Sequence, residues 1–162
     1  MKTLYILRHA KSSWDNPLLA DFERPLNKRG LEAAPFMGEI IYKNGFKPEL
    51  FLSSPAKRAK QTAVLVREVG AIEPEIQFDE RIYEASPQML AQIISELGEQ
   101  ADSLLLVGHN PGLEGLIRFL TGEVHPMPTA ALAIIELNVE NWATVAAECG
   151  TLKNLFRPYD ER

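Results

Sequence analysis

The stretch that most constrains this chain is Thr3-Leu4-Tyr5-Ile6-Leu7, followed at once by Arg8-His9. A short apolar run rich in β-branched and aromatic residues, without polar alternation, reads as a strand buried on both faces. Such strands belong to parallel sheets with helices packed over either side. In open α/β sheets, ligands bind beyond the carboxyl ends of the strands. This strand ends in a fixed cation and a titratable imidazole, so Arg8 and His9 are the first candidates for a site. Alone they are only a polar pair in a loop. The question is what else the chain brings to them.

The remainder alternates helical and extended patterns. A polar loop without periodicity runs from Lys11 to Leu26, and a loop this long is commonly functional. Asn27 caps a helix that starts at Lys28, with Leu31, Ala34, Met37, Ile40 and Ile41 as its apolar stripe and Gly45 as its end. Pro35 lies inside that pattern, where proline costs about 3 kcal/mol, so a kink or two shorter helices is expected. Residues 49–53 read as a second strand, and Ser54-Pro55 as a cap followed by a first-turn proline, with a helix to Gly70. Residues 75–78 form a third strand and 79–85 a loop. Ser86-Pro87 repeats the cap and proline before a helix over 89–97. Residues 103–107 are almost wholly apolar and therefore a central strand, ending in Gly108-His109. Asn110-Pro111 opens a helix that Gly122 ends. Residues 131–137 and 144–148 are expected as a late hairpin, with another short strand within 152–162. The pattern predicts one α/β domain over 1–162, a three-layer α/β/α sandwich on a mostly parallel central sheet.

Composition narrows the function. A net charge of −5 leaves no nucleic-acid footprint, and no run reaches the length of a membrane span. The residues after Lys2 carry no leader-like cleavage pattern, so a cytoplasmic protein is expected; a monomer is expected as well. The single cysteine, Cys149, excludes an internal disulfide framework and a cysteine metal cluster, and reads as a small apolar filler.

Three strand ends carry candidate chemistry. The first supplies Arg8 and His9, the second Ser53-Ser54-Pro55 with Arg58 a turn into the helix, and the fourth His109. Arg58 alone would read as a solvated cation like Lys57 and Lys60, and His109 as a satisfied strand-end histidine. His125, in a proline-rich loop, takes no catalytic role and could at most line the rim. Their coincidence at one sheet edge is what matters. Two arginines, two histidines and helix N-termini together suit phosphate, because guanidinium forks match its oxygens and free N–H groups favour anions.

These motifs resemble the histidine phosphatase superfamily, the phosphoglycerate-mutase-like proteins. Leu7-Arg8-His9-Ala10 is similar to its RHG/RHA motif, and Arg8 to Asp15 to the mutases' RHGES-x-W-N opening. Pro25-Leu26-Asn27-Lys28-Arg29-Gly30 is similar to the next helix start, and the run from Ser53 to Ala63 to SSP-x-x-RA-x-QTA. Val107-Gly108-His109-Asn110-Pro111-Gly112 resembles the second-histidine motif. The resemblance spans residues 3 to about 137. In length, RHAKS and GHNPG the chain is most similar to the short SixA-type bacterial phosphohistidine phosphatases.

The resemblance implies a phosphoglycerate-mutase-like fold with His9 as nucleophile. Arg8, Arg58 and His109 would hold the phosphoryl oxygens, with Ser12 and Asn110 as further phosphate-binding residues. Asp79-Glu80-Arg81-Ile82-Tyr83-Glu84 resembles the mutase segment E-R-x-Y-G, which places Glu80 as general acid with Glu84 as the alternative. Lys11 replaces an acid, and Asp15 stands where mutases carry a phosphate-contacting Asn; Asp15 should therefore point away, or Asn16 substitute for it. The implied activity is a metal-independent phosphatase without cofactor. Its substrate would be a histidine-phosphorylated protein, such as a phosphotransfer domain, or alternatively a small phosphomonoester.

Overall fold

The computed structural model describes residues 1–158. Six strands form one mixed sheet: β1 (Lys2–Arg8), β2 (Leu50–Ser53), β3 (Ile76–Phe78), β4 (Ser103–Gly108), β5 (Leu132–Leu137) and β6 (Gly150–Phe156). Their order is β3-β2-β4-β1-β5-β6. The first four in that order run parallel; β5 lies antiparallel to β1, and β6 antiparallel to β5. Both β1 and β4 are flanked on each side by another strand, as their apolar sequences require.

Four helices cover the sheet: α1 (Lys28–Lys43), α2 (Lys57–Gly70), α3 (Pro87–Ser95) and α4 (Gly112–Thr121). The period-two geometry of a strand sorts its side chains between two cores. Leu4, Ile6, Leu104 and Leu106 pack with α3 and α4 residues such as Leu90, Ile94, Leu116 and Ile117. Tyr5, Leu7, Leu105 and Val107 face the other way, onto Ala33, Met37, Ala63 and Val66 of α1 and α2. The result is the expected three-layer sandwich.

Three expectations need correction. Of the two expectations at Pro35, the division into two shorter helices is the one corrected: α1 runs as one helix from Lys28 to Lys43. Proline removes one backbone donor, and the carbonyl left without it belongs to Leu31, a residue 49 % exposed and open to water. Leu31 is accordingly outside the apolar stripe, which is made by Ala33, Ala34, Met37 and Ile41 with Gly30 and Gly38. Second, 144–148 is not a strand. Trp142 is buried, donates its indole N–H to Ala101 O at 2.8 Å, and anchors a 3-10 turn there. The partner of β5 is Gly150–Phe156, with a register irregularity at Ile134/Ile135. Third, α2 and α4 begin two residues later than Pro55 and one later than Pro111. The expected strand within 152–162 falls partly in β6; residues 159–162 lie outside the described residues. No helix among the described residues is long and apolar enough to cross a membrane.

The segment after β1 is fastened to α1. Lys11 O accepts the Asn27 amide at 2.9 Å, and a Cβ on Gly30 would stand 2.2 Å from that same carbonyl. Only glycine allows the helix start to approach so closely.

Candidate active site

The carboxyl ends of β1, β2 and β4 are tied together by backbone bonds just where they leave the sheet. The His9 amide donates to Gly108 O at 3.1 Å and the Ser54 amide to Val107 O at 3.0 Å. Thr62, buried on α2, accepts the Ala10 amide at 3.0 Å and donates to Arg58 O at 2.8 Å. Arg8, His9, Arg58 and His109 thus meet at one edge, although they are far apart in sequence.

His9 is buried, and its Nδ1 lies 2.7 Å from Ala10 O. A carbonyl only accepts, so Nδ1 carries the proton and the neutral ring keeps its lone pair on Nε2. Burial, outweighing the Ala10 bond, pushes the His9 pKa down to about 3, and the charges of His109, Arg58 and Arg8 act in the same direction. His109 sits with its ring centroid 5.1 Å from that of His9. Its pKa is pushed down to about 4, first by burial and then by Arg58, while Asp21 opposes the shift. Both imidazoles are therefore neutral at pH 7. Ser54 Oγ lies 2.8 Å from His109 Nε2 and accepts the Ala56 amide at 3.2 Å. The serine hydroxyl proton is then free to point at Nε2, leaving the ring proton on Nδ1.

The arginines are the fixed positive charges. Arg8 donates through Nη1 to Met127 O at 3.0 Å. Asn110 donates to the same carbonyl at 2.9 Å and to Glu114, whose Oε2 accepts the Met127 amide at 2.9 Å. Asn110 thereby helps set the perch that holds Arg8. Arg58 is buried on α2 and donates to Asp21 O at 2.7 Å and Asp21 Oδ2 at 3.0 Å. Among the described residues, the buried side-chain polar atoms without a hydrogen-bond partner are Arg8 Nε and His109 Nδ1.

The other expected residues are placed differently. The Ser12 hydroxyl accepts from Arg24 Nη2. Arg24 also bonds Ser13 O and Asp21, and lies over the Trp14 ring. Glu80 is exposed at the start of the Glu80–Ile82 turn and takes no part in the bonds that knit the arginines and histidines. Glu84 is exposed too, with its carboxylate beside the Tyr83 hydroxyl. His125 is partly buried and lies 3.2 Å from Glu123. Asp15 is exposed, and its backbone amide donates to Ser13 Oγ at 3.1 Å. The Asn16 carboxamide accepts the Leu18 amide at 3.0 Å.

Asp21, Thr62, Tyr83 and Met127 were not singled out from sequence. Thr62 and Tyr83 fall inside the motif segments and could have been read from them; Asp21 and Met127 carry no local signal.

Residues 4–100 match the model of the histidine phosphatase superfamily, branch 1, and the chain belongs to that family. An uncharacterised chloroplastic protein of Arabidopsis thaliana is 30% identical over 158 residues, which cover 92% of this chain and 72% of that protein. Among solved structures, a candidate phosphohistidine phosphatase SixA from Agrobacterium tumefaciens is 27% identical, with TM-score 0.85 over 97% of this chain and 98% of that one. The protein histidine phosphatase SixA, solved with tungstate, superposes with TM-score 0.86 over 99% of both chains at 22% identity, a likeness of fold. The chain is a phosphatase of the histidine phosphatase type.

Proposed function

We propose that this chain hydrolyses phosphohistidine on proteins, through a covalent phosphohistidine formed on His9. The observation that carries this reading is the pairing of a lone-pair Nε2 on His9 with two buried, unpartnered nitrogens, Arg8 Nε and His109 Nδ1. Leaving a buried donor unpaired costs about 1–3 kcal/mol, and an oxyanion accepting from both would relieve it.

His9 Nε2 attacks phosphorus in line, the new N–P bond forming as the bond to the leaving imidazole breaks. Arg8, Arg58 and His109 hold the three equatorial oxygens, with charge stabilisation supplied by the guanidinium pair. Water then attacks the phosphoenzyme, orthophosphate leaves, and His9 regains its lone pair. A neutral His9 is ready to attack at pH 7 because burial keeps it unprotonated. The Ala10 carbonyl fixes its tautomer. Phosphorylated imidazole leaves easily once protonated, so a dedicated acid matters little. The likeness to the Agrobacterium tumefaciens protein across nearly the whole chain supports the same substrate class.

A second reading, a small-molecule phosphomonoesterase, draws on the acidic groups at the rim. Glu80 lies in the adjoining turn and Glu84 beside Tyr83, and an alkoxide leaving group needs such an acid. The test compares kcat/KM for a phosphohistidine-bearing protein with a panel of alkyl and sugar phosphates, with and without EDTA. The protein substrate should be preferred, EDTA should change nothing, and an acid-labile, alkali-stable label should appear on wild type and vanish in His9→Ala. Turnover by His9→Ala at the wild-type rate overturns both readings. A preference for a sugar phosphate by orders of magnitude leaves only the second.

A further inference from the structure

Asp21 sits at the head of the short 3-10 turn Asp21–Glu23, midway along the loop that rims the site. Its carbonyl accepts Arg58 Nη1 at 2.7 Å and its Oδ2 accepts Arg58 Nη2 at 3.0 Å. The same Oδ2 accepts the Tyr83 hydroxyl at 2.6 Å, and Oδ1 accepts Arg24 Nη1 at 2.9 Å. Tyr83 in turn stands edge-on to the His109 ring at 5.5 Å and to Phe22 at 5.0 Å.

A carboxylate on a phosphate-binding arginine has two opposite interpretations. It can be an internal anion that competes with substrate, or a brace that holds the arginine still. The geometry separates them. Asp21 accepts from Nη1 and Nη2 of the guanidinium, and among the described residues its hydrogen bonds from Arg58 do not include Nε. A guanidinium offers two forks, so the Nε–Nη2 side remains for a second oxyanion. Asp21 is also held by Arg24 and Tyr83, independently of Arg58. A competitor that must leave would not be anchored twice over.

We propose that Asp21 is a positioning residue for the phosphate site, bracing Arg58 from behind so that its free fork meets the phosphoryl group. This rests on the phosphatase reading of Arg58 given above. The Tyr83 hydroxyl, followed by Arg58 and Arg24, holds the Asp21 carboxyl down at about 2 against the effect of burial, so the brace is charged throughout the working range. Tyr83 is held protonated, its pKa pushed up by burial and by the Asp21 and Glu84 carboxylates, and stays a donor. Through this tyrosine the brace reaches His109, linking both sides of the phosphate clamp.

The experiment uses the full chain. Orthophosphate affinity is measured by calorimetry, kcat and KM with a phosphorylated substrate, and folding by thermal unfolding. Asp21→Asn should weaken orthophosphate binding and lower kcat/KM by about tenfold or more, the scale of a lost charge-assisted bond. Tyr83→Phe, which removes only a hydroxyl, should act in the same direction and more weakly; it carries the comparison should Asp21→Asn fail to fold. Glu23→Gln removes a neighbouring exposed carboxylate and should change neither quantity. In an Arg58→Ala background Asp21→Asn should add little further loss in kcat/KM, because its effect runs through Arg58. Tighter orthophosphate binding by Asp21→Asn would make Asp21 a competitor and overturn the proposal. Fully additive losses would reduce Asp21 to a loop-folding residue and overturn it equally. An active wild type with an indifferent Asp21→Asn overturns this inference alone. A wild type that neither binds orthophosphate nor turns over any phosphorylated substrate overturns the phosphatase reading, and this inference with it.

Discussion

The hydroxyl of Thr62 accepts the backbone amide of Ala10 at 3.0 Å, joining residues 52 apart in the chain. Because Thr62 also donates to Arg58 O, this one side chain sets the distance between the His9 segment and the helix that carries Arg58. Thr62→Val keeps the volume and removes the hydroxyl. The buried Ala10 amide loses its partner, a cost of about 1–3 kcal/mol. Thermal unfolding should show that loss, and kcat/KM should fall with it because the two halves of the site are no longer in register. A variant as stable and as active as wild type would mean Thr62 merely fills space.

Arg58 and Lys57 are adjacent cations with opposite fates, one buried against Asp21 and one exposed. Arg58→Ala should lower kcat/KM by at least roughly 10²-fold, the scale of losing one preorganised donor to a developing oxyanion. Lys57→Ala should leave the rate nearly unchanged. Steady-state kinetics of the pair distinguishes a specific clamp from a general positive field, which would make the two losses equal.

Acid should destabilise the protein earlier than its carboxylates alone would dictate. His9 and His109 have ordinary values of 6.5 and fall to about 3 and about 4 in the fold. Between those values and 6.5 the unfolded chain binds protons that the folded chain refuses, so stability is full above pH 6.5 and declines as pH falls. Each histidine contributes a slope of about 1 kcal/mol per pH unit in that window. Denaturant unfolding from pH 7 to 4.5 should show this slope, and it should be roughly halved in His109→Gln, whose side chain does not titrate. An unaltered slope in that variant would contradict the burial-driven shift.

Glu80→Gln tests the acid. An alkyl phosphate needs a proton on its leaving oxygen, whereas a protonated phosphoimidazole leaves as a neutral ring. The variant should slow alkyl phosphate hydrolysis much more than hydrolysis of a phosphohistidine protein, both measured under one set of conditions. Glu84→Gln, beside the Tyr83 hydroxyl, is the matched comparison. A fall confined to Glu84→Gln moves the acid by one turn of chain; equal falls on both substrates give Glu80 a positioning role.

The sequence made the architecture legible wherever local pattern and tertiary demand coincide. The apolar runs of β1 and β4, each ended by polar residues at the start of a loop, located the site edge, because parallel strands joined by helices must place their carboxyl ends together. Arg8, His9, Arg58 and His109 therefore come together without any residue having to be moved. Asp21 was invisible for the opposite reason: it lies in an aperiodic loop, and its principal partner stands 37 residues away. The late hairpin was misplaced because the apolar residues around Trp142 serve a turn that buries one indole, while β6 is a half-exposed, partly polar strand. Pro35 does not split α1 because the carbonyl it leaves without a donor belongs to Leu31, on the exposed side of the helix.

Placing β1 between β4 and β5 decides how His9 is lost from its place when the molecule breathes. An interior strand exchanges its amide protons only when its neighbours on both sides let go, which in a domain of this size approaches complete unfolding. The loop from Lys11 to Arg24 lies outside the sheet, fastened by backbone bonds of Ser13 to Pro25 and of Asn27 to Lys11 and by the side-chain bonds of Arg24 and Arg58, and loops open at lower free energy than interior strands. Opening of the rim loop and release of the strand that carries His9 are thus distinct events in this fold, belonging to different parts of the molecule.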